Sequence, residues 1–200
     1  MQTFNELLRE AELAHGHLCA GQILGVRMAM LGCERLGIDD PKGADRKRLV
    51  TFIEIDRCAT DAIAVVTGCR LGKRALKLRD WGKMAATFVD IGNDTHPGGR
   101  AIRIAALESS KARARELYPH IENKNQQQMT AYRELPDAEL FSEQWVTVPL
   151  AAREMPGYKS SRITCAICGE GINYDREILR DGQTLCQGCA NPASRYYQPL

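Results

Sequence analysis

LVTFIEI (49–55), followed two residues later by CATDAIAVVT (58–67), is the stretch that decides the fold. The first run is rich in β-branched and aromatic residues and reads as a strand. The second reads as a short buried helix, which Gly68 ends. Upstream, Thr3 followed by Glu6 forms a capping-box pattern, with Phe4, Leu7, Leu8 and Ala11 at helical spacing behind it. This helix should end near His15-Gly16. A second helix is expected from Gly21 to Leu36, burying Ile23, Leu24, Met30 and Leu31. Within it Gly21 and Gly25, four residues apart, let another backbone approach closely.

Downstream, strands are expected at 75–80 (ALKLRD) and 84–91 (MAATFVDI), joined by a turn near Gly82, with a loop over 92–99. A strand over 100–106, helices over 107–118 and 122–134, and a last strand at 145–149 (WVTVP) complete the reading. Helices mixed with strands in hairpin-like and crossover connections predict an α+β domain with a mixed sheet. The segment 151–162, with Pro156, Gly157 and two serines, reads as a linker. The expected division is a core over 1–158 and a small second domain over 159–200.

With 44% hydrophobic and 26% charged residues, the 200-residue chain has the composition of a globular protein. Its formal net charge of +2 points to no polyanionic partner. There is no apolar run of about 18 residues to span a membrane. Glu6, Arg9, Glu10 and Glu12 stand where a signal peptide would carry its apolar core, so a cytoplasmic protein is expected.

Eight cysteines are the informative excess. In the cytosol thiols stay reduced, so spacing decides their role. Cys165-x2-Cys168 and Cys186-x2-Cys189 have the spacing of a four-thiolate zinc site. Gly169 and Gly171 allow a tight turn after the first pair, and Asp181-Gly182 marks a hairpin between 172–179 and 183–186. A short helix after Cys189 would complete a treble-clef arrangement. So small a domain buries little core, so structural Zn²⁺ is expected to supply its folding energy. Residues 159–200 carry five basic and four acidic side chains, too balanced for a nucleic-acid surface despite Tyr196 and Tyr197.

The most chemically loaded stretch is HGHLCAG (15–21). In an extended segment His15, His17 and Cys19 would all face one side. Cys19 just before a helix start is also where the dipole favours a thiolate. The plain alternative is two polar loop histidines and a buried cysteine. Cys58, at the start of the helix after the buried strand, shares a helical face with Asp61. His17, Cys19 and Cys58 could hold a transition metal, Zn²⁺ by preference, with an open fourth position. Cys33 reads as core. Residues 70–83 hold six basic side chains against Asp80, with Lys73 as the candidate anion contact, or else a solvated face.

Together, HGHLCAG at 15–21, GVR at 25–27, Cys58-x2-Asp61-Ala-Ile, TGCRLGK at 67–73 and WGKMAATF at 81–88 resemble the family of the formylmethanofuran dehydrogenase E-subunit. Ala20 stands where the family has proline after the first cysteine, and Arg70 where it has threonine. The resemblance implies a thioredoxin-like core with a five-stranded mixed sheet, a treble-clef zinc finger and homodimers. It also implies a metal site at His15, His17, Cys19, Cys58 and Asp61. Functionally it implies an accessory metal-binding protein beside the subunits of a molybdenum or tungsten enzyme. The alternative is a stand-alone metal-dependent enzyme, with a metal-bound water at Cys58 and His15 or Asp61 as proton acceptor.

Overall fold

The computed structural model describes residues 1–92 and 100–198. The chain forms two compact units, 1–150 and 151–200. The stretch 151–158, expected to belong with the core, thus falls in the second unit.

The first unit runs α1 (Phe4–His15), α2 (Ala20–Leu36), β1 (Leu49–Ile53), α3 (Cys58–Thr67), β2 (Leu76–Leu78), β3 (Ala85–Asp90), β4 (Arg100–Ala106), α4 (Ser109–Leu117), α5 (Lys124–Glu134), α6 (Asp137–Leu140) and β5 (Phe141–Val146). The capping box at Thr3 and Glu6 forms as read, and Gly16 ends α1 in the left-handed conformation. α2 buries 12 of its 17 residues, which makes it the central helix of the unit. Met30, expected inside, is only partly buried.

The glycines of α2 explain how it packs. A Cβ built at Gly25 would lie 2.5 Å from the carbonyl oxygen of Ala59, and one at Gly21 would lie 3.1 Å from Cβ of Cys58. Backbone therefore meets backbone where α2 crosses the start of α3. Arg27 then fixes the far side of the helix. Its guanidinium donates to the carbonyls of Tyr132, at 2.9 Å, and Leu135, and pairs with the carboxylate of Asp137.

The mixed sheet has the order β2-β1-β3-β4-β5, with β1 and β2 parallel and every other pair antiparallel. The turn at Gly82 forms with positive φ, but β2 and β3 are not a hairpin, because β1 lies between them. On one face Leu49, Ile53, Phe88, Ile102 and Ile104 join the helical core. Val50, Phe52, Val89 and Ala101 form a smaller cluster on the other, with Val146, Val148 and Leu150 against it. Ion pairs are also set into the sheet. Arg103 grips the buried Glu54 with two bonds of 2.7 Å, and Arg48 holds the buried Asp90 at 2.8 Å.

The last strand lies at 141–146, not 145–149. Ser142, Glu143, Gln144 and Trp145 are exposed, so this edge strand shows no apolar alternation, while Pro149 has no N–H for the ladder. The loop expected over 92–99 falls, apart from Gly92, outside the described residues.

The second unit contains β6 (Ile163–Thr164), β7 (Gly171–Ile172), β8 (Ile178–Arg180), β9 (Gln183–Leu185) and α7 (Gln187–Ala190). β6 pairs with β7 across the first cysteine pair, and β8 with β9 across Asp181-Gly182, both in positive φ. The strand expected over 172–179 is broken because Tyr174 and Asp175 also adopt positive φ. The helix expected after Cys189 begins earlier, with Cys186 as its cap, and ends before Pro192.

Candidate metal centres

In the second unit the sulfurs of Cys165, Cys168, Cys186 and Cys189 lie within 4.8 Å of one another. Those of Cys168 and Cys186 are 3.9 Å apart, close to the ~3.8 Å edge of a tetrahedron with ~2.3 Å Zn–S bonds. The thiolate charge has its own donors. The Cys186 N–H points to the Cys165 sulfur at 3.3 Å, and Arg195 donates to Cys189 at 3.3 Å. Backbone N–H groups of Cys168 and Cys186 hold the Cys165 thiol down at about 6. The donor set fits zinc, which would be held by these four cysteines.

In the first unit the donors are assembled differently from the extended segment expected. His15 is still helical, Gly16 turns the chain in the left-handed conformation, and Cys19 caps α2 with extended backbone. This reversal brings the rings of His15 and His17 to 4.7 Å between centroids. Ligand atoms of His15, His17 and Cys19 all lie within 4.8 Å of one another.

Asp61 reaches this group from α3. Its carboxylate is 2.8 Å from Nδ1 of His15, which leaves Nε2 buried and without a hydrogen-bond partner. A buried ring nitrogen with the opposite nitrogen fixed by a carboxylate is the arrangement of a metal-ligating histidine. Cys58 stands at the first helical position of α3 beside Cys19: a Cβ built at Gly21 would lie 3.1 Å from Cβ of Cys58 and 3.7 Å from the Cys19 sulfur. Burial and the Cys19 sulfur push the Cys58 thiol up, and Arg57 acts in the opposite direction. The residues present fit a soft divalent metal held by His15, His17 and Cys19, with Cys58 adjoining. Lys73 lies in an exposed turn between α3 and β2 and is not part of this group.

Sequence reasoning missed the residues that brace the cluster. Gln22 is fully buried on α2 and its amide donates to the carbonyl of Cys58 at 2.6 Å. Asn125 accepts from the N–H of Ala20 at 3.2 Å, completing the first turn of α2 from 105 positions away. A glutamine among Gly21, Ile23 and Leu24 is a readable signal, whereas nothing local marks Asn125. Cys19 and Cys58 also line a cavity of about 340 Å³ together with Arg57, Glu108, Lys111 and Tyr132, among others.

An α+β unit with a thiol-imidazole cluster between two helix starts, joined in one chain to a four-cysteine zinc-finger unit, defines a class of metal-binding candidates. Similarity to known proteins narrows that class. Residues 14–142 match the family FmdE, described by its place in the molybdenum formylmethanofuran dehydrogenase operon, and residues 157–195 match the prokaryotic dksA/traR C4-type zinc finger. The chain belongs to the FmdE family. The crystal structure of a tungsten formylmethanofuran dehydrogenase FmdE-like protein from Syntrophus aciditrophicus shares the fold. Its TM-score is 0.64 at 18% identity, covering 97% of this chain and 95% of that one. A probable S-adenosyl-L-methionine-binding protein from Archaeoglobus fulgidus is 39% identical over 84 residues, 42% of this chain. That match spans only 23% of the relative's length. No helix among the described residues is long and apolar enough to cross a membrane.

Proposed function

We propose that this protein is a metal-binding accessory protein of the FmdE type, carrying an exchangeable metal in the core and a structural zinc in a treble-clef finger. The observation that carries the reading is His15, whose Nδ1 is fixed by Asp61 while its buried Nε2 is left for a ligand. His15, His17 and Cys19 hold the ion, and Cys58 is the fourth donor or the group beside the open position. A metal held there supplies a Lewis-acid centre next to the cavity that Cys19 and Cys58 line. Asp61 orients His15, and Gln22 holds the backbone of Cys58 in place. The β2-β1-β3-β4 order, with its parallel first pair, supports the thioredoxin-like description of the core. The β6-β7 knuckle, the β8-β9 hairpin and α7 support the treble clef. A second copy of the chain and the subunits of a molybdenum or tungsten formylmethanofuran dehydrogenase-type enzyme are the partners of this reading.

Metal content of protein purified without added metal tests it. The expected result is about two ions per chain, falling to about one in the His17→Ala/Cys58→Ala double variant. One ion in both proteins would remove the core site and leave only the finger.

A further inference from the structure

The cavity beside the cluster carries a charge pattern that the metal donors do not account for. Its volume of about 340 Å³ suits a small organic molecule and little more. Leu24, Met84, Leu107 and Tyr132 give it apolar walls, which strengthen any charge facing the interior. Among the described residues three charged side chains line it: Arg57, Lys111 and Glu108. Lys111 is neutralised within the lining, its Nζ 2.6 Å from the carboxylate of Glu108. Arg57 makes no ion pair among the described residues; it directly precedes Cys58 at the start of α3, and both residues line the cavity. Arg57 is also the cap of α3 and supplies no side-chain acceptor to that helix start. The lining thus presents one uncompensated positive charge beside two thiols.

We propose that this cavity binds a small monoanion of the carboxylate class, with Arg57 as its counter-ion beside the Cys19–Cys58 edge. The inference rests on the reading of that edge as the working end of the core site. A single guanidinium matches one carboxylate, in a planar, charge-assisted bond. A dianion such as phosphate would bring a second negative charge to a lining that already contains Glu108, and is disfavoured.

The test uses two alkylating probes that differ only in charge, iodoacetate and iodoacetamide, on the full chain as purified. In each case a thiolate displaces iodide and a sulfur–carbon bond forms. The ratio of the two rates at a given cysteine cancels its thiolate fraction and reports how the surroundings treat a carboxylate. The ratio at Cys58 and Cys19, read by peptide mass spectrometry, is compared with that of 2-mercaptoethanol in the same buffer. The expected result is a shift of about tenfold toward iodoacetate at one of the two cysteines. The shift should be lost in Arg57→Gln and largely kept in Arg57→Lys. Arg57 is exposed, so neither change disturbs the core. Acetate should slow iodoacetate labelling more than phosphate does.

A ratio equal to that of 2-mercaptoethanol, or one unchanged in Arg57→Gln, overturns the proposal. Stronger protection by phosphate overturns the assignment to a monoanion. Metal content of the same preparation separates the two readings. One ion per chain with a shifted ratio sinks the core metal and leaves the anion cavity. Two ions with an unshifted ratio do the reverse.

Discussion

Gly25 sits where a methyl group would press on the carbonyl oxygen of Ala59, at 2.5 Å, and on its Cα, at 2.8 Å. Neither atom belongs to a flexible side chain, so Gly25→Ala must push α2 away from α3. We expect a loss of about 1–3 kcal/mol in urea unfolding, together with weaker metal retention. Gly37→Ala provides the contrast, because a Cβ there meets nothing and only the left-handed backbone objects. Its cost should be about 1 kcal/mol, with metal retained. A second residue-level prediction concerns Cys33, whose thiol burial and the nearby Cys69 push up to about 12 from an ordinary 9.0. Folding therefore favours the protonated thiol. The contribution is fully present below pH 9 and is lost as pH rises toward 12. Unfolding midpoints measured between pH 9 and 11 should fall more steeply in the wild type than in Cys33→Ala. At pH 8, buried Cys33 should resist a thiol reagent in the folded protein and react once the protein is unfolded. Glu54 adds a charge to this residue-level picture, since Arg103→Met would leave its buried carboxylate unpaired. The expected cost in urea unfolding is about 3–5 kcal/mol.

Between elements, the contact that matters most joins the end of α1 to the first turn of α3 through His15 and Asp61. The Asp61 side chain is 56% exposed, so the pair adds little stability. Asp61→Asn should change unfolding free energy by less than about 1 kcal/mol. It should nevertheless weaken metal binding in the core about 10- to 100-fold in competition with a chelator, since the imidazole loses its orienting partner. How legible this was in the sequence depends on the distance along the chain. The capping box at Thr3, the close approach at Gly21 and Gly25, the cysteine spacing of the finger and the start of α3 at Cys58 are local signals, and all were readable. The reversal at Gly16 was harder. The sequence offered a glycine between two histidines, which suits an extended segment as well as a helix end followed by a left-handed turn. β5 was displaced because an edge strand with polar residues facing outward loses its alternation. The bracing by Asn125 and the cavity that Arg57 lines depend on elements that meet only in three dimensions, and no residue near either position announces it.

For the whole molecule, the two units draw on different sources of stability. Among the described residues the second has five buried residues in its cluster, two of them cysteines, while the first buries a large apolar core around α2. Chelation should therefore unfold residues 151–200 and leave 1–150 folded. In limited proteolysis with chelator the expected product is a persistent fragment of about 150 residues, with most helical circular dichroism retained. Simultaneous loss of both units would mean that the core also depends on its metal. Arg27, finally, sets an order of events during synthesis. Its guanidinium waits for carbonyls and a carboxylate between 105 and 110 positions further on. Until the ribosome has released residue 137, α5 has no such anchor and the flank of the cavity formed by Asn125 and Tyr132 is missing. The HGHLC turn and α3 leave the exit tunnel well before that. A nascent chain thus exposes its thiols and imidazoles to solvent for several seconds, at a synthesis rate of roughly 5–20 residues per second, before the last wall is in place.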